Sequence, residues 1–201
     1  MTLSEFAYKG KRKVLRSVCF FLFQYPRILK YKILSTCSFV TGSPYLYQPV
    51  LFEGLGRVQF SHGVSLGVNQ SIGFYIGYIY IDVRCPSSKI DFGSNIWVNN
   101  NCSFISEGEG IYIGDNTLIG TNCEFFDSDF HDLDPEKRLG GVIKTGKIHV
   151  GKNVFIGSNV TVLKGVSIGE NTVISNGSIV TRDIPSNVVA AGIPAKVIRP
   201  L

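Results

Sequence analysis

The sequence predicts an all-β fold in which short parallel strands wind into three-sided coils and the coils stack into a prism. Three observations carry this prediction. Val150, Ile156, Val162, Ile168, Ile174 and Val180 recur at steps of six. Gly151, Gly157 and Gly169 directly follow three of them. Earlier blocks hold three steps each, namely Phe60, Leu66, Ile72, then Phe92, Val98, Phe104, then Ile113, Ile119, Phe125, with Gly67, Gly73, Gly93, Gly114 and Gly120 next in line. An amphipathic helix returns its apolar positions every three or four residues and a simple strand every two. A step of six suits a short strand followed by a tight corner, with one inward side chain per side and a glycine or asparagine taking the unusual backbone angles. Three sides close a coil, and stacked coils bury a continuous column of Val, Ile, Leu and Phe. Val154, Val160, Val166, Thr172 and Ser178, two residues before each inward position, supply the alternate inward side chain of each strand. Roughly five or six coils at ~4.7 Å spacing make a prism of about 25 Å.

In chain order, residues 1–50 form a basic, aromatic segment ahead of the repeat and are expected to be helical. Lys9, Lys11, Arg12, Lys13, Arg16, Arg27, Lys30 and Lys32 concentrate the excess positive charge there, while the net charge of the whole chain is only +5. The remainder is near neutral, which argues against a general nucleic-acid surface. The apolar run "VCFFLF" (Val18 to Phe23) is bounded by Arg16 and by Gln24, Pro26 and Arg27, well short of the ~20 residues of a membrane-spanning helix. Phe, Tyr and Leu between basic residues suit an amphipathic helix lying on an anionic membrane surface through residues 9–32, or a helix capping the prism. The two roles are compatible.

Residues 51–201 carry the prism. Its regularity breaks at 73–91, at 105–112 and over a loop at 126–149, and loops leaving a rigid scaffold are where function concentrates. The last break opens with "FFDSDFHDLDPEKRL" (Phe125 to Leu139), which holds a histidine, four aspartates and a proline. Asp127, Asp129, Asp132 and Asp134 alternate, but without the glycine and terminal glutamate of an EF-hand. They are expected to order the loop or to bind sugar, and no metal is required. Hydrophobic residues at 44% against charged residues at 17% mark a globular chain. Cys19, Cys37, Cys85, Cys102 and Cys123 show no CxxC spacing and read as reduced thiols of a cytosolic protein. Asn-x-Ser/Thr triplets at Asn69, Asn101, Asn159 and Asn176 read as turn residues rather than glycosylation sites.

From about Asn95 to Leu201 the pattern resembles the hexapeptide-repeat acyltransferases, whose domain is a left-handed parallel β-helix. Crossovers between parallel strands are nearly always right-handed, so the left hand is what the resemblance implies. "HDLDPEKRL" is similar to the loop of the maltose and galactoside O-acetyltransferase branch, in which the histidine is the catalytic base. His131 is the match, and Asp132 stands where proline often follows. A sugar hydroxyl is far too weak an acid to attack a thioester at neutral pH unless a base such as imidazole takes its proton. His62 and His149 lie in the coils and read as structural.

Further site residues follow from the same resemblance. "WVNNNCSF" resembles a segment whose second asparagine positions acceptor or acetyl group, which implies Asn101 with Asn99 beside it; the alternative is an asparagine ladder at the coil corners. Asn offers a donor and an acceptor to a neutral hydroxyl. Acidic residues often follow this motif, so Glu107 is an expected sugar contact, as is Asp129 of the loop. "VFIGSNVTVLKGVSIG" resembles a coil in which the amide after the glycine stabilises the oxyanion, here the N–H of Ser158, an interaction typically worth ~3 to 4 kcal/mol. Phe155 would pack on the pantetheine arm. "SIVTRDIPSNVVAAGIPAKVIR" looks like the family's terminal signature and implies acetyl-CoA contacts at Gly177, Ser178, Thr181, Arg182, Ala191, Lys196 and Arg199.

The resemblance therefore implies an acetyl-CoA-dependent O-acetyltransferase acting on a sugar hydroxyl by direct transfer. The basic front end and the insertion "IGFYIGYIYIDVRCPSSKI" are similar to enzymes of surface-polysaccharide assembly, with a lipid-linked oligosaccharide acceptor at the inner face of the cytoplasmic membrane. A homotrimer is the implied assembly. Two other readings stay open at this point: N-acetylation of a nucleotide-linked amino sugar, and an inactive trimeric β-helix module.

Overall fold

The computed structural model describes residues 3–201, with side chains from Lys11 onward. Lys9, the first basic residue of the expected membrane-facing segment, therefore has its side chain outside the described residues.

The chain opens with a helix over Leu3–Cys19, a π-helical turn over Phe20–Gln24 and a second helix over Tyr25–Leu34. Pro26 stands at the start of the second helix. It has no amide hydrogen and disfavours helical geometry in the residue before it; a π turn just upstream takes up that irregularity and lets the helical path continue. The segment is tied to the prism by one face. Gln24 is fully buried, and its Nε2 donates to the carbonyls of Tyr47 at 3.0 Å and Phe74 at 2.6 Å.

Six coils follow, each contributing one strand to each of three sheets of six, eight and six strands. Every neighbouring pair is parallel except the last, where Val188–Gly192 and Ala195–Pro200 close the second sheet as an antiparallel hairpin. The inward columns are those expected. Val98, Ile119, Ile156 and Ile174 stack down the second sheet, and Phe104, Phe125, Val162 and Val180 down the third. All are buried, as are Val154, Val160, Val166, Thr172 and Ser178. Phe104 and Phe125 stack with ring centroids 4.6 Å apart, and Phe60 and Phe92 at 4.8 Å.

The structure corrects two expectations and refines a third. The coils begin at Phe39, inside the segment expected to precede them. Leu46 and Phe52 are the inward residues of that first coil, but neither is followed by glycine, so the punctuated pattern conceals them. Ile72 is not inward: it is 79% exposed, in an insertion over 67–78, and the third side of its coil is Ile79–Val83 with Ile81 in the column. The break expected at 73–91 thus mixes an insertion with a genuine strand. Finally, asparagine and glycine divide the corner between them. Asn116, Asn122, Asn153, Asn159 and Asn171 adopt φ of 56 to 57°, a left-handed conformation that Asn tolerates. Gly157 has no such angle but no room either, because a Cβ there would lie 2.2 Å from Asn176 Oδ1.

Candidate active site

The chain passes from the first sheet to the second to the third in every coil, so each corner lies on one of three prism edges. The long loop leaves the edge after the third sheet, between Glu124–Phe126 and Ile148–Val150. Its neck is a short antiparallel contact, with Asp129 N–H donating to Lys144 O at 3.0 Å and Gly146 N–H to Asp127 O at 2.8 Å. Asp127 is fully buried. Its carboxylate accepts from Ser106 Oγ at 2.7 Å, Glu107 N at 2.7 Å and Gly110 N at 2.8 Å. Two of the three interruptions, 105–112 and the loop, are thereby locked into one unit, and a buried carboxylate is stable there because its lone pairs are used.

That lock places Glu107 under the loop. Its Oε2 accepts from Ser128 Oγ at 2.9 Å, and its other oxygen lies 3.8 Å from Arg84. Arg84 also pairs with Asp82 at 3.1 Å and sits over the Phe130 ring at 4.6 Å. Tyr80 donates its hydroxyl to Asp82 at 3.0 Å; burial, then the Asp82 charge and this bond, push the phenol up to about 12. Asp129 holds Lys164 through Oδ1 at 2.5 Å, while its Oδ2 is buried without a hydrogen-bond partner among the described residues. An unpaired buried carboxylate oxygen is an acceptor awaiting a donor.

His131 follows Phe130, the one aromatic residue with positive φ (60°) among the described residues. Its ring is exposed, and Nδ1 lies 3.3 Å from the Arg138 carbonyl. A carbonyl only accepts, so this contact calls for the Nδ1–H tautomer and leaves the Nε2 lone pair free as a base. Asp132 closes the loop behind it by accepting from Asp134 N at 2.9 Å and Val142 N at 3.0 Å. Asp132 thus orders this turn through both of its carboxylate oxygens.

Asn99, Asn101, Ser158, Gly177 and Ser178 gather on the edge after the second sheet. Ser158 N–H donates to Asn176 Oδ1 at 2.8 Å, and Ser158 Oγ accepts from Thr121 N at 3.2 Å. The expected oxyanion donor is therefore capped by a side chain that sequence reasoning missed. Asn101 is a neighbour of the insertion: Gln48 Nε2 donates to its Oδ1, and its N–H donates to Gln48 Oε1, both at 2.8 Å. Asn100, not singled out from the sequence, is fully buried and ties down 68–72 through the backbone of Val68 and Ile72. Asn99 caps Asn100 N–H at 2.8 Å. Ser178 Oγ accepts from Gly192 N at 3.2 Å, joining Gly177, Ser178 and Ala191 to the terminal hairpin. Lys196 and Arg199 lie exposed on that hairpin, Phe155 is half exposed on the second sheet, and Thr181 and Arg182 fall on the His131 edge. No hydrogen bond among the described residues joins His131 to Asn101 or Ser158; one chain carries them on different edges. Nor does any group of three or more His, Cys, Asp or Glu among the described residues form a metal site.

Known proteins resemble this arrangement. A family model described as the hexapeptide repeat of succinyl-transferase matches residues 110–125 and 147–182, on both sides of the loop. The galactoside O-acetyltransferase of Escherichia coli K12 is 45% identical over 112 residues, 56% of this chain and 54% of that protein. A hexapeptide-repeat acetyltransferase of Vibrio cholerae, solved with acetyl coenzyme A, superimposes with a TM-score of 0.53 at 33% identity over 56% of this chain and 60% of that one. A maltose O-acetyltransferase from Clostridium difficile 630 does so with a TM-score of 0.54 at 26% identity, over 85% and 72%. The chain spans 53% to 60% of the length of the first curated relatives it matches. The fold class is the one expected, a left-handed parallel β-helix with a helical N-terminal segment and an extended loop.

Proposed function

We propose that the chain is a hexapeptide-repeat acetyltransferase, a reading supported by the similarity over about half of its length, and that it moves an acetyl group from acetyl-CoA to a sugar hydroxyl. The observation that carries the reading is the bond from His131 Nδ1 to Arg138 O, which presents Nε2 as a base at the rim of an ordered loop. The donor fits the other edge: Gly177 is an exposed corner where a Cβ would meet nothing within 4 Å, so a slender arm can approach the backbone there. Acetyl-CoA supplies a thioester carbon open to attack. His131 Nε2 takes the hydroxyl proton as the hydroxyl oxygen bonds to that carbon, then returns the proton to the departing sulfur, so an acetyl ester and a thiol leave and the imidazole ends neutral. Ser158 N–H steadies the negative charge that develops on the carbonyl oxygen once Asn176 yields its place. Asp129 Oδ2 and Glu107 accept from neighbouring hydroxyls of the sugar and orient it.

Because the base and the oxyanion donor occupy different prism edges, the complete site is formed between subunits of a homotrimer. Trp97, Leu118 and Phe155 support this, since they form an exposed apolar row down the second sheet of the kind that subunit contact covers. The acceptor is a lipid-linked oligosaccharide of surface-polysaccharide assembly, met in the cytoplasm at the inner face of the membrane. Incubation with acetyl-CoA and acceptors that are free, nucleotide-linked or lipid-linked tests this. A base-labile gain of one acetyl group on a lipid-linked sugar is expected; a base-stable product on an amino sugar would replace O- by N-transfer, and no product with any acceptor would remove the reading.

A further inference from the structure

We propose that the outward face of the N-terminal helical segment docks on an anionic lipid bilayer, lying along its surface. The inner face is fixed by Gln24 and Ile28, both buried, by Arg27, which donates to the Gly77 carbonyl, and by Tyr31 against Tyr78 at 4.6 Å. Leu22, Leu29 and Ile33 project on the opposite side and are 57%, 43% and 83% exposed. Val14, Leu15 and Val18 extend this row along the preceding turns, all exposed, and the rings of Phe21 and Tyr25 stack beside it at 5.7 Å. A soluble surface seldom leaves so continuous a run of large apolar groups in water.

Charge selects the occupant. Between Glu5 and Glu53 the chain has no acidic residue, while Lys11, Arg12, Lys13, Arg16, Arg27, Lys30 and Lys32 all fall within it. From Glu53 onward twelve basic residues face fourteen acidic ones, so the positive end is a local feature of the helical segment. Apolar side chains between basic ones, with Phe and Tyr at the boundary, match the headgroup layer of an anionic bilayer. A second copy docking by the same face would bring the like charges of its described residues together. Spanning is ruled out for the described helices, none of which is long and apolar enough to cross. The three helical pieces run without a break from Leu3 to Leu34, a path of about 45 Å at the usual rise, long enough to hold the prism at a fixed orientation to the surface.

The inference stands on this segment alone, so its failure and that of the transfer reading are separable. The full chain is sedimented with vesicles of phosphatidylcholine alone and of phosphatidylcholine with phosphatidylglycerol. Binding to the anionic vesicles only is expected, weakened about tenfold or more by high salt, by Lys30→Glu with Lys32→Glu, and by Leu22→Glu with Ile33→Glu. All substituted positions are exposed, so melting temperature and turnover on a soluble acceptor are expected to hold. Absence of binding to anionic vesicles, or equal binding by the apolar variant, would overturn the proposal. So would a loss of oligomer mass in the lipid-free Leu22→Glu/Ile33→Glu variant, which would assign the face to a second copy.

Discussion

His131 sits in an exposed turn with the Arg138 carbonyl as its hydrogen-bond partner, so its loss is expected to cost chemistry and not stability. His131→Ala lowers turnover by ~10² to 10⁴-fold, the usual contribution of a positioned general base, with an unchanged melting temperature; steady-state kinetics beside calorimetry checks both halves. Asn176 makes the opposite prediction. Its carboxamide caps the Ser158 N–H that the proposed reaction uses, and displacing a neutral hydrogen bond costs about 1 kcal/mol. Asn176→Ala is therefore expected to raise kcat/KM for acetyl-CoA about fivefold, and a decrease would show that the capped amide is purely structural. Asp127→Ala removes the acceptor of Ser106 Oγ and two buried amides, a loss of about 3 kcal/mol or more measurable by urea unfolding. His131 stood out as a candidate because the nine-residue stretch that begins with it, "HDLDPEKRL", resembles one known loop. Asp127 was legible as a loop-ordering carboxylate but its partners were not, and Asn176 was not legible at all: the partners lie 17 to 21 positions away for the first and 18 for the second, and a sequence pattern carries no sign of which backbone amides a side chain will meet.

The stacked coil has its own tests. Ile168 is 1% exposed in the first sheet, between Val150 and the bridge to Ile184. Ile168→Asp places an unsolvated carboxylate in that column, and the expected result is insoluble or unfolded protein by circular dichroism. His149 lies in the same sheet with its ring stacked on Tyr112 at 4.8 Å. Burial, and then the charge of Lys147, hold its imidazole below the ordinary 6.5. Protonation is then harder in the folded state than in the unfolded one, so stability is complete above pH 6.5 and declines as the pH falls through that value towards the folded one. His149→Phe, which keeps the ring, is expected to shrink the drop in melting temperature on acidification. The six-residue period exposed most of this architecture because its corners repeat a glycine. It failed in the first coil, where Leu46 and Phe52 have no glycine after them, and at Ile72, where an insertion held by Asn100 and Gln48 carries the period outside the prism. Periodicity reports what stacks; it is silent on a loop fastened by buried side-chain amides.

At the scale of the whole molecule the chain is polarised. A positive helical segment caps one end of the prism, the terminal hairpin with Lys196 and Arg199 closes the other, and His131 and the Ser158 N–H stand on separate edges between them. Such a split is uninformative in a single chain and purposeful in a three-fold assembly, where the edge of one subunit meets a different edge of the next. The most direct measurement mixes two inactive chains, His131→Ala and Lys196→Ala with Arg199→Ala, by co-refolding at equal amounts. Each intact site then needs His131 from one variant and the donor edge from the other, which random assembly supplies at about a quarter of interfaces. Recovery of that share of wild-type acetyl transfer is the predicted result. Mixed oligomers as inactive as their parents, or a wild-type chain that is monomeric by light scattering yet fully active, would contradict it.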